Sequence, residues 1–356
     1  MPLAPRPATA PTGAPGIRCH TEPMQVAQLP ALVDSRGRVA DDLRISVTDR
    51  CDFRCVYCMP AEGLRWLPRE EVLSTPEITR LAAILVGTGV RTIRLTGGEP
   101  LVRRDLPELI RALNDLAPDL DISLTTNGYL LGRRAAELRD AGLRRVNVSL
   151  DSLRAERFAR LTRRDALTQV IAGIDAAKAA GLSPVKVNVV VMRGINDDEV
   201  VDFARFARER DVAVRFIEWM PLDASGEWTA ESVVAGDELL DAAEAVFPLV
   251  PVESGHDPAT RRRFADGAAG ELGVIPTVSA PFCDRCNRIR LTADGQLRTC
   301  LFSVEETDLR GPLRAGADDA EILALVRTAV WGKWAGHRIN APDFVRPARS
   351  MSQIGG

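Results

Sequence analysis

From Leu43 onward, apolar and polar positions alternate in two different periods along the chain. Short segments with every second residue apolar give way, across a polar or glycine-bearing loop, to longer stretches with apolar residues at helical spacing. The strands predicted in this way are Leu43–Thr48, Thr92–Thr96, Asp121–Thr126, Arg145–Leu150, Val185–Val191 and Val214–Trp219. The helices between them are Pro76–Gly87, Leu106–Leu116, Leu131–Ala141, Ala166–Ala180 and Asp198–Arg210, with Gly87, Gly142 and Gly181 standing where helices end. Strand and helix in alternation specify a parallel sheet with right-handed crossovers. Six such units are two short of a closed eightfold barrel, so the expected fold is α/β. It is an incomplete (β/α)6 TIM-like barrel, with a smaller C-terminal α+β domain closing the open side.

Within the strands, the second face is unusual. Leu43, Ile45 and Val47 share one side while Arg44, Ser46 and Thr48 share the other, and Ile93 and Leu95 oppose Arg94 and Thr96. Ser123 and Thr125, Asn147 and Ser149, and Lys186 and Asn188 repeat the polar side in later strands, with Arg215 in the sixth. A parallel sheet covered on both faces is apolar on both. Buried cations persist only with partners, so this face predicts a polar lumen shaped for an anion, the alternative being an open sheet with one solvated side.

Residues 1–31 are rich in proline, alanine and threonine without helical or strand period, and predict a flexible extension. The barrel is expected over 32–221, and a C-terminal domain over 222–345 after the repeat stops. A tail over 346–356 ends in Gly355-Gly356. The net charge of −3 excludes a whole-surface basic field for nucleic acid. No apolar run is long enough to span a membrane and no basic-then-apolar leader is present, which predicts a cytoplasmic protein.

Seven cysteines in such a setting argue for metal rather than disulfides. Cys51, Cys55 and Cys58 form a CxxxCxxC loop after the first strand, and Cys283, Cys286 and Cys300 form a second triad around a hairpin turning at Asp294-Gly295. Cys19 is read as a free thiol. Sulfur-only ligation favours an iron–sulfur cluster or zinc. Three thiolates leave one iron of a cluster open, whereas zinc needs a fourth ligand from His20, His256, His337 or a carboxylate, and those histidines read as leader, loop or helix-end residues. Thr96-Gly97-Gly98-Glu99-Pro100 follows the second strand, where the glycines would let backbone approach a ligand and Glu99 could pair with an ammonium. Arg288 and Arg290 share one face of a predicted strand, suited to phosphate oxygens, while Arg261-Arg262-Arg263 reads as a solvated hairpin approach.

The cysteine loop with Tyr57 before its last thiol, Arg94-Leu95-Thr96-Gly97-Gly98-Glu99-Pro100, Leu124-Thr125-Thr126-Asn127-Gly128, Asn147-Val148-Ser149-Leu150-Asp151, Arg215-Phe216-Ile217-Glu218-Trp219-Met220 and the second triad together resemble the radical S-adenosylmethionine superfamily. Within it, they resemble the branch that cyclises GTP in the first step of molybdenum cofactor biosynthesis. The resemblance runs from about Leu32 to Gly356. It implies that Cys51, Cys55 and Cys58 hold a 4Fe-4S cluster that cleaves S-adenosylmethionine to a deoxyadenosyl radical, with Tyr57, Gly98, Ser149 and Met220 touching the S-adenosylmethionine. It implies a second 4Fe-4S cluster on Cys283, Cys286 and Cys300, whose free iron takes the guanine of GTP. Arg44, Arg94, Thr125, Lys186, Arg288, Ile289 and Arg290 would bind substrate, and Gly355, Gly356 and Arg215 would act in catalysis, Glu218 being the alternative partner of Arg215. Some members carry lysine where this chain has Thr92. The implied product is 3′,8-cyclo-7,8-dihydro-GTP. The implied partners are a low-potential electron donor and a cyclic pyranopterin monophosphate synthase that takes the product, and a homodimer is compatible with the pattern. Two other readings are a radical enzyme for another substrate, such as a peptide, and a zinc-binding module without redox chemistry.

Overall fold

The computed structural model describes residues 26, 28–223, 226–253 and 257–355. Cys19, His20, His256, Gly356 and most of the expected extension lie outside the described residues. Within the described part of 1–31, Leu29 donates its backbone N–H to Gly87 (2.8 Å) and packs on the core.

The six predicted strands form as β1 (Asp42–Ser46), β2 (Thr92–Thr96), β3 (Asp121–Thr126), β4 (Arg145–Ser149), β5 (Val185–Val191) and β6 (Ala213–Glu218). Between them run α1 (Thr75–Gly87), α2 (Leu106–Asn114), α3 (Leu131–Asp140), α4 (Ala155–Thr162), α5 (Leu167–Ala179) and α6 (Val200–Arg210). Helix α1 starts at a capping box: Ser74 Oγ accepts from Glu77 N while the Glu77 carboxylate accepts from Ser74 N. Its chain reverses at Gly89 (φ +96°), two residues beyond the predicted Gly87. Helix α4 was not expected, because its apolar positions are few: Phe158 and Leu161 alone bury large side chains.

Beyond β6 lie α7 (Gly236–Glu244), β7 (Leu249–Val252), β8 (Thr260–Phe264), β9 (Glu271–Ile275), β10 (Arg288–Leu291), β11 (Gln296–Arg298), β12 (Thr307–Asp308), α8 (Arg310–Arg314), α9 (Asp319–Trp331) and α10 (Met351–Ile354). These strands do not make a sheet of their own. The order in the single sheet is β12-β11-β10-β1-β2-β3-β4-β5-β6-β9-β8-β7. Strand β9 pairs parallel with β6 and β10 pairs parallel with β1, so the C-terminal half adds one parallel strand at each edge of the six. The sheet stays open, because β9 and β10 are not paired with each other.

The apolar face predicted for the strands is the core. Leu43, Ile45, Ile93, Leu95, Ile122, Leu124, Val146, Val148, Val187 and Val214 are fully buried against helix residues such as Ile78, Leu81, Leu109, Leu138 and Val170. Each such side chain contributes about 1.5–3 kcal/mol by leaving water, which fixes the strand parity and thereby sends the alternate, polar residues inward. The Arg261–Arg263 run sits in β8, bonded to β7 on one side and β9 on the other.

Candidate active site

The inward residues line a cavity of ≈ 500 Å³. Arg44, Arg94, Thr96, Thr125, Asn147, Ser149, Lys186, Asn188 and Arg215 reach it from β1 to β6, and Arg288 and Arg290 reach it from β10. Ile289 does not: alternation turns it to the other face, where it is fully buried in the apolar core beside Leu43. Parity also predicts Arg145 and Asp42 in the lumen, two lining residues that the reading of the strands passed over. Thr92 lines the cavity level with Asp42.

All six described cysteines are free and line this one cavity. Cys51, Cys55 and Cys58 follow the carboxyl end of β1, whereas Cys283 and Cys286 precede the amino end of β10 and Cys300 follows the antiparallel β11. Since Arg288 is level with Asp42, the triads lie at opposite ends of the strands, separated by about six residues of strand, or roughly 20 Å. Burial pushes the Cys51 thiol up to about 12 and the Cys58 thiol up to about 11, and raises the Cys55 thiol well above its ordinary range. Among the described residues no three His, Cys, Asp or Glu side chains surround a single ion-sized point. Six free thiols, three from each of two segments and all lining one cavity, fit iron–sulfur clusters, whose assembly would deprotonate them.

Between the triads, Arg290, Arg44 and Arg94 stand side by side in register across β10, β1 and β2. Among the described residues no carboxylate lies within ion-pairing distance of Arg44 or Arg94, and the Nε of each is buried without a hydrogen-bond partner. Burial, followed by repulsion from Arg288, Arg94 and Arg290, drives the Arg44 guanidinium well below its ordinary range, and burial brings Arg94 down to about 10. Arg288 is shared with Asp42 at 3.7 Å. Arg215 pairs with Glu271 at 2.5 Å rather than with Glu218. The Glu218 carboxylate is occupied by the backbone N–H groups of Gly236, Val278 and Ser279 and the Ser279 hydroxyl.

Gly97 and Gly98 line the cavity, but their small size serves the protein itself. A Cβ on Gly97 (φ +140°) would lie 2.3 Å from the Thr48 carbonyl, and one on Gly98 2.3 Å from that of Arg50. Gly98 N donates to Thr48 O (2.8 Å) and Glu99 N to Arg50 O (2.7 Å), pressing this loop onto the segment that leads to the first triad. Glu99 is fully buried and accepts from Leu101 N (2.9 Å), Thr126 Oγ1 (2.7 Å) and Asn127 N (2.7 Å), so it braces the loop and does not face an ammonium. Tyr57 and Met220 line the cavity; the Tyr57 hydroxyl donates to Asp151 (2.7 Å).

The tail enters the same space. Ser352 lines the cavity and hydrogen-bonds Cys58, and the Gly355 carbonyl accepts from Arg290. Arg349 anchors it through Asp294 (2.9 Å) and Glu306 (2.8 Å). Sequence reasoning missed Arg38 and Lys333, which secure the second triad: Arg38 donates to Cys283 O (2.6 Å) and Trp334 O (2.6 Å), and Lys333 to Cys286 O (2.7 Å). His337 lines the cavity with both ring nitrogens engaged, by Thr277 O and Ile339 N.

Residues 45–207 match the Radical SAM superfamily model and residues 212–339 match the Molybdenum Cofactor Synthesis C model. A protein of Mycolicibacterium smegmatis named GTP 3′,8-cyclase is 54% identical over 331 residues, 91% of this chain and 92% of its own. The chain belongs to the GTP 3′,8-cyclase family. Relatives include the GTP 3′,8-cyclase of Streptomyces coelicolor, 51% identical over 91% of this chain and 96% of its own, and GTP 3′,8-cyclase 2 of Mycobacterium tuberculosis, 51% identical over 97% and 98%. The crystal structure of Streptococcus suis SuiB bound to S-adenosylmethionine shares the fold at a TM-score of 0.57 and 14% identity, covering 87% of this chain and 77% of that one. As a radical SAM protein, the chain uses S-adenosylmethionine and a 4Fe-4S cluster. No helix among the described residues is long and apolar enough to cross a membrane.

Proposed function

We propose that the protein cyclises GTP to (8S)-3′,8-cyclo-7,8-dihydroguanosine 5′-triphosphate, the first step of molybdenum cofactor biosynthesis. The observation that carries this reading is the row Arg290–Arg44–Arg94, in register and, among the described residues, without carboxylate partners at Arg44 and Arg94, between two cysteine triads in one cavity. A buried cationic row of this kind is stabilised by a polyanion.

Cys51, Cys55 and Cys58 would hold the cluster that binds S-adenosylmethionine, with Tyr57, Gly98, Ser149 and Met220 around it, and Cys283, Cys286 and Cys300 would hold a second 4Fe-4S cluster facing the guanine. When bound, the first cluster and S-adenosylmethionine supply a deoxyadenosyl radical. Arg44, Arg94, Lys186, Arg215, Arg288 and Arg290, with Thr125, hold the nucleotide in one orientation, which brings the ribose and purine carbons close enough to join. Gly355 and its neighbours narrow the lumen and keep water from the reacting carbons. A low-potential electron donor, transfer of product to cyclic pyranopterin monophosphate synthase, a homodimeric assembly and a cytoplasmic setting complete the proposal.

Anaerobic incubation of the reconstituted protein with S-adenosylmethionine, dithionite and GTP tests it. The expected outcome is the cyclic nucleotide with matching deoxyadenosine release. Deoxyadenosine formed at the same rate without GTP, and no cyclic product with it, contradicts the reading.

A further inference from the structure

Among the described residues the lumen is lined by the carboxylates of Asp42, Asp151 and Asp257, and of these only Asp257 comes from a loop of the C-terminal half. Asp257 sits in the loop between β7 and β8, yet its Oδ2 lies 3.4 Å from Lys186 Nζ and 3.9 Å from Arg215 Nη2. Its Oδ1 accepts from Ala259 N at 3.0 Å. The cation contacts are longer than the 2.7–2.9 Å of a tight charge-assisted hydrogen bond. The other carboxylates near the cationic face differ. Asp42 is fixed by its place in β1, and Glu271 is gripped by both Arg215 and Arg261 outside the main cavity. Asp257 lies on the wall between the main cavity and a second one of ≈ 490 Å³, which Lys186 and Arg215 also line together with Lys178, Arg261 and Arg263.

A loop carboxylate loosely paired to two cations, in a cavity where Arg44 and Arg94 have no carboxylate within ion-pairing distance among the described residues, competes with any anionic ligand for the same donors. A triphosphate brings more charge and more acceptor oxygens than one carboxylate, so it wins those donors at the cost of breaking the Asp257 pairs. We propose that Asp257 is a built-in counter-ion that stands in for ligand phosphate, holding Lys186 and Arg215 before a nucleotide arrives and releasing them to its triphosphate. This deepens the GTP reading and rests on it for the identity of the nucleotide, not for the chemistry of the anion. The residue sets a threshold: ligands with one or no phosphate cannot displace it, whereas a polyphosphate can.

The test is equilibrium binding by calorimetry to the anaerobically reconstituted full chain, native and Asp257→Asn, with GTP, inorganic tripolyphosphate and guanosine as probes. Removing one opposing charge beside two cations is expected to tighten GTP and tripolyphosphate on the order of tenfold, leaving guanosine unchanged. Asp257→Ser serves as a second variant, and thermal unfolding checks that both fold. Weaker GTP binding in the variants, as expected if the carboxylate held a divalent cation on the phosphates, overturns the proposal. So does a parallel change for GTP and guanosine. If tripolyphosphate tightens while native protein binds no GTP, the counter-ion stands and the GTP reading falls.

Discussion

A guanidinium buried among other guanidiniums raises the free energy of the protein until an anion joins it. Arg94 is the clearest instance, since its Nε has no hydrogen-bond partner and burial brings its guanidinium down to about 10. Arg94→Leu is therefore expected to stabilise the nucleotide-free protein by about 1–3 kcal/mol in urea unfolding while weakening GTP at least tenfold. A loss of stability without loss of affinity would show that Arg94 is structural. Glu99 carries a pH signature of its own. Burial raises its carboxyl from 4.5 to about 7, against the hydrogen bonds from Asn127, Thr126 and Leu101. An acid with a raised folded-state pKa favours folding most when protonated, below its unfolded value, and loses that contribution as pH climbs through the folded value. Relative to Glu99→Gln, the native chain should lose stability between pH about 4.5 and about 7, read by thermal unfolding across that range; a flat difference would place the Glu99 pKa near its ordinary value.

At the level of elements, the tail is the piece whose fit is easiest to test. Gly355 has φ +83°, and a Cβ there would lie 2.3 Å from Ser46 Oγ and 2.8 Å from Thr96 Cγ2. Gly355→Ala should expel the tail from the lumen, and Arg349→Ala, which cuts its anchor to Asp294 and Glu306, should do the same. Both variants are expected to keep their iron and sulfide, to release C-terminal residues to carboxypeptidase at least tenfold faster, and to lose cyclisation. Resistance to carboxypeptidase in both would mean the tail is held by something else. Strand parity was legible in the sequence because burial of Leu43, Ile93, Leu124, Val146 and Val187 dictates it, and parity alone brings Arg44, Arg94, Asn147 and Lys186 into one lumen. The same rule turns the Ile289 side chain away from the lumen and includes Arg145, which a motif-led reading overlooked. What parity cannot reach is a contact between distant segments. Gly97-Gly98 lines the cavity and is at the same time pressed against the Thr48 and Arg50 carbonyls, a contact no local pattern announces, and Asp257 has no periodic context that would place it beside Lys186.

The whole molecule is one sheet made from both halves of the chain, and that continuity sets the site. Strand β10, from the second half, lies in register against β1, from the first, which puts Arg290 beside Arg44 and carries the second cysteine triad to the amino end of the strands whose carboxyl end bears the first. The six-unit pattern predicted the barrel wall; the edge pairings of β9 and β10 depend on long-range register that no local period encodes. The central claim is that two incompletely ligated clusters face a nucleotide from opposite ends of this lumen. Electron paramagnetic resonance of two reduced variants tests it most directly, one with Cys51, Cys55 and Cys58 changed to alanine and the other with Cys283, Cys286 and Cys300 changed. The account predicts a cluster in each, perturbed by GTP and not by S-adenosylmethionine in the first variant, and by S-adenosylmethionine and not by GTP in the second. A variant without a cluster, or both ligands perturbing the same triad, would contradict it.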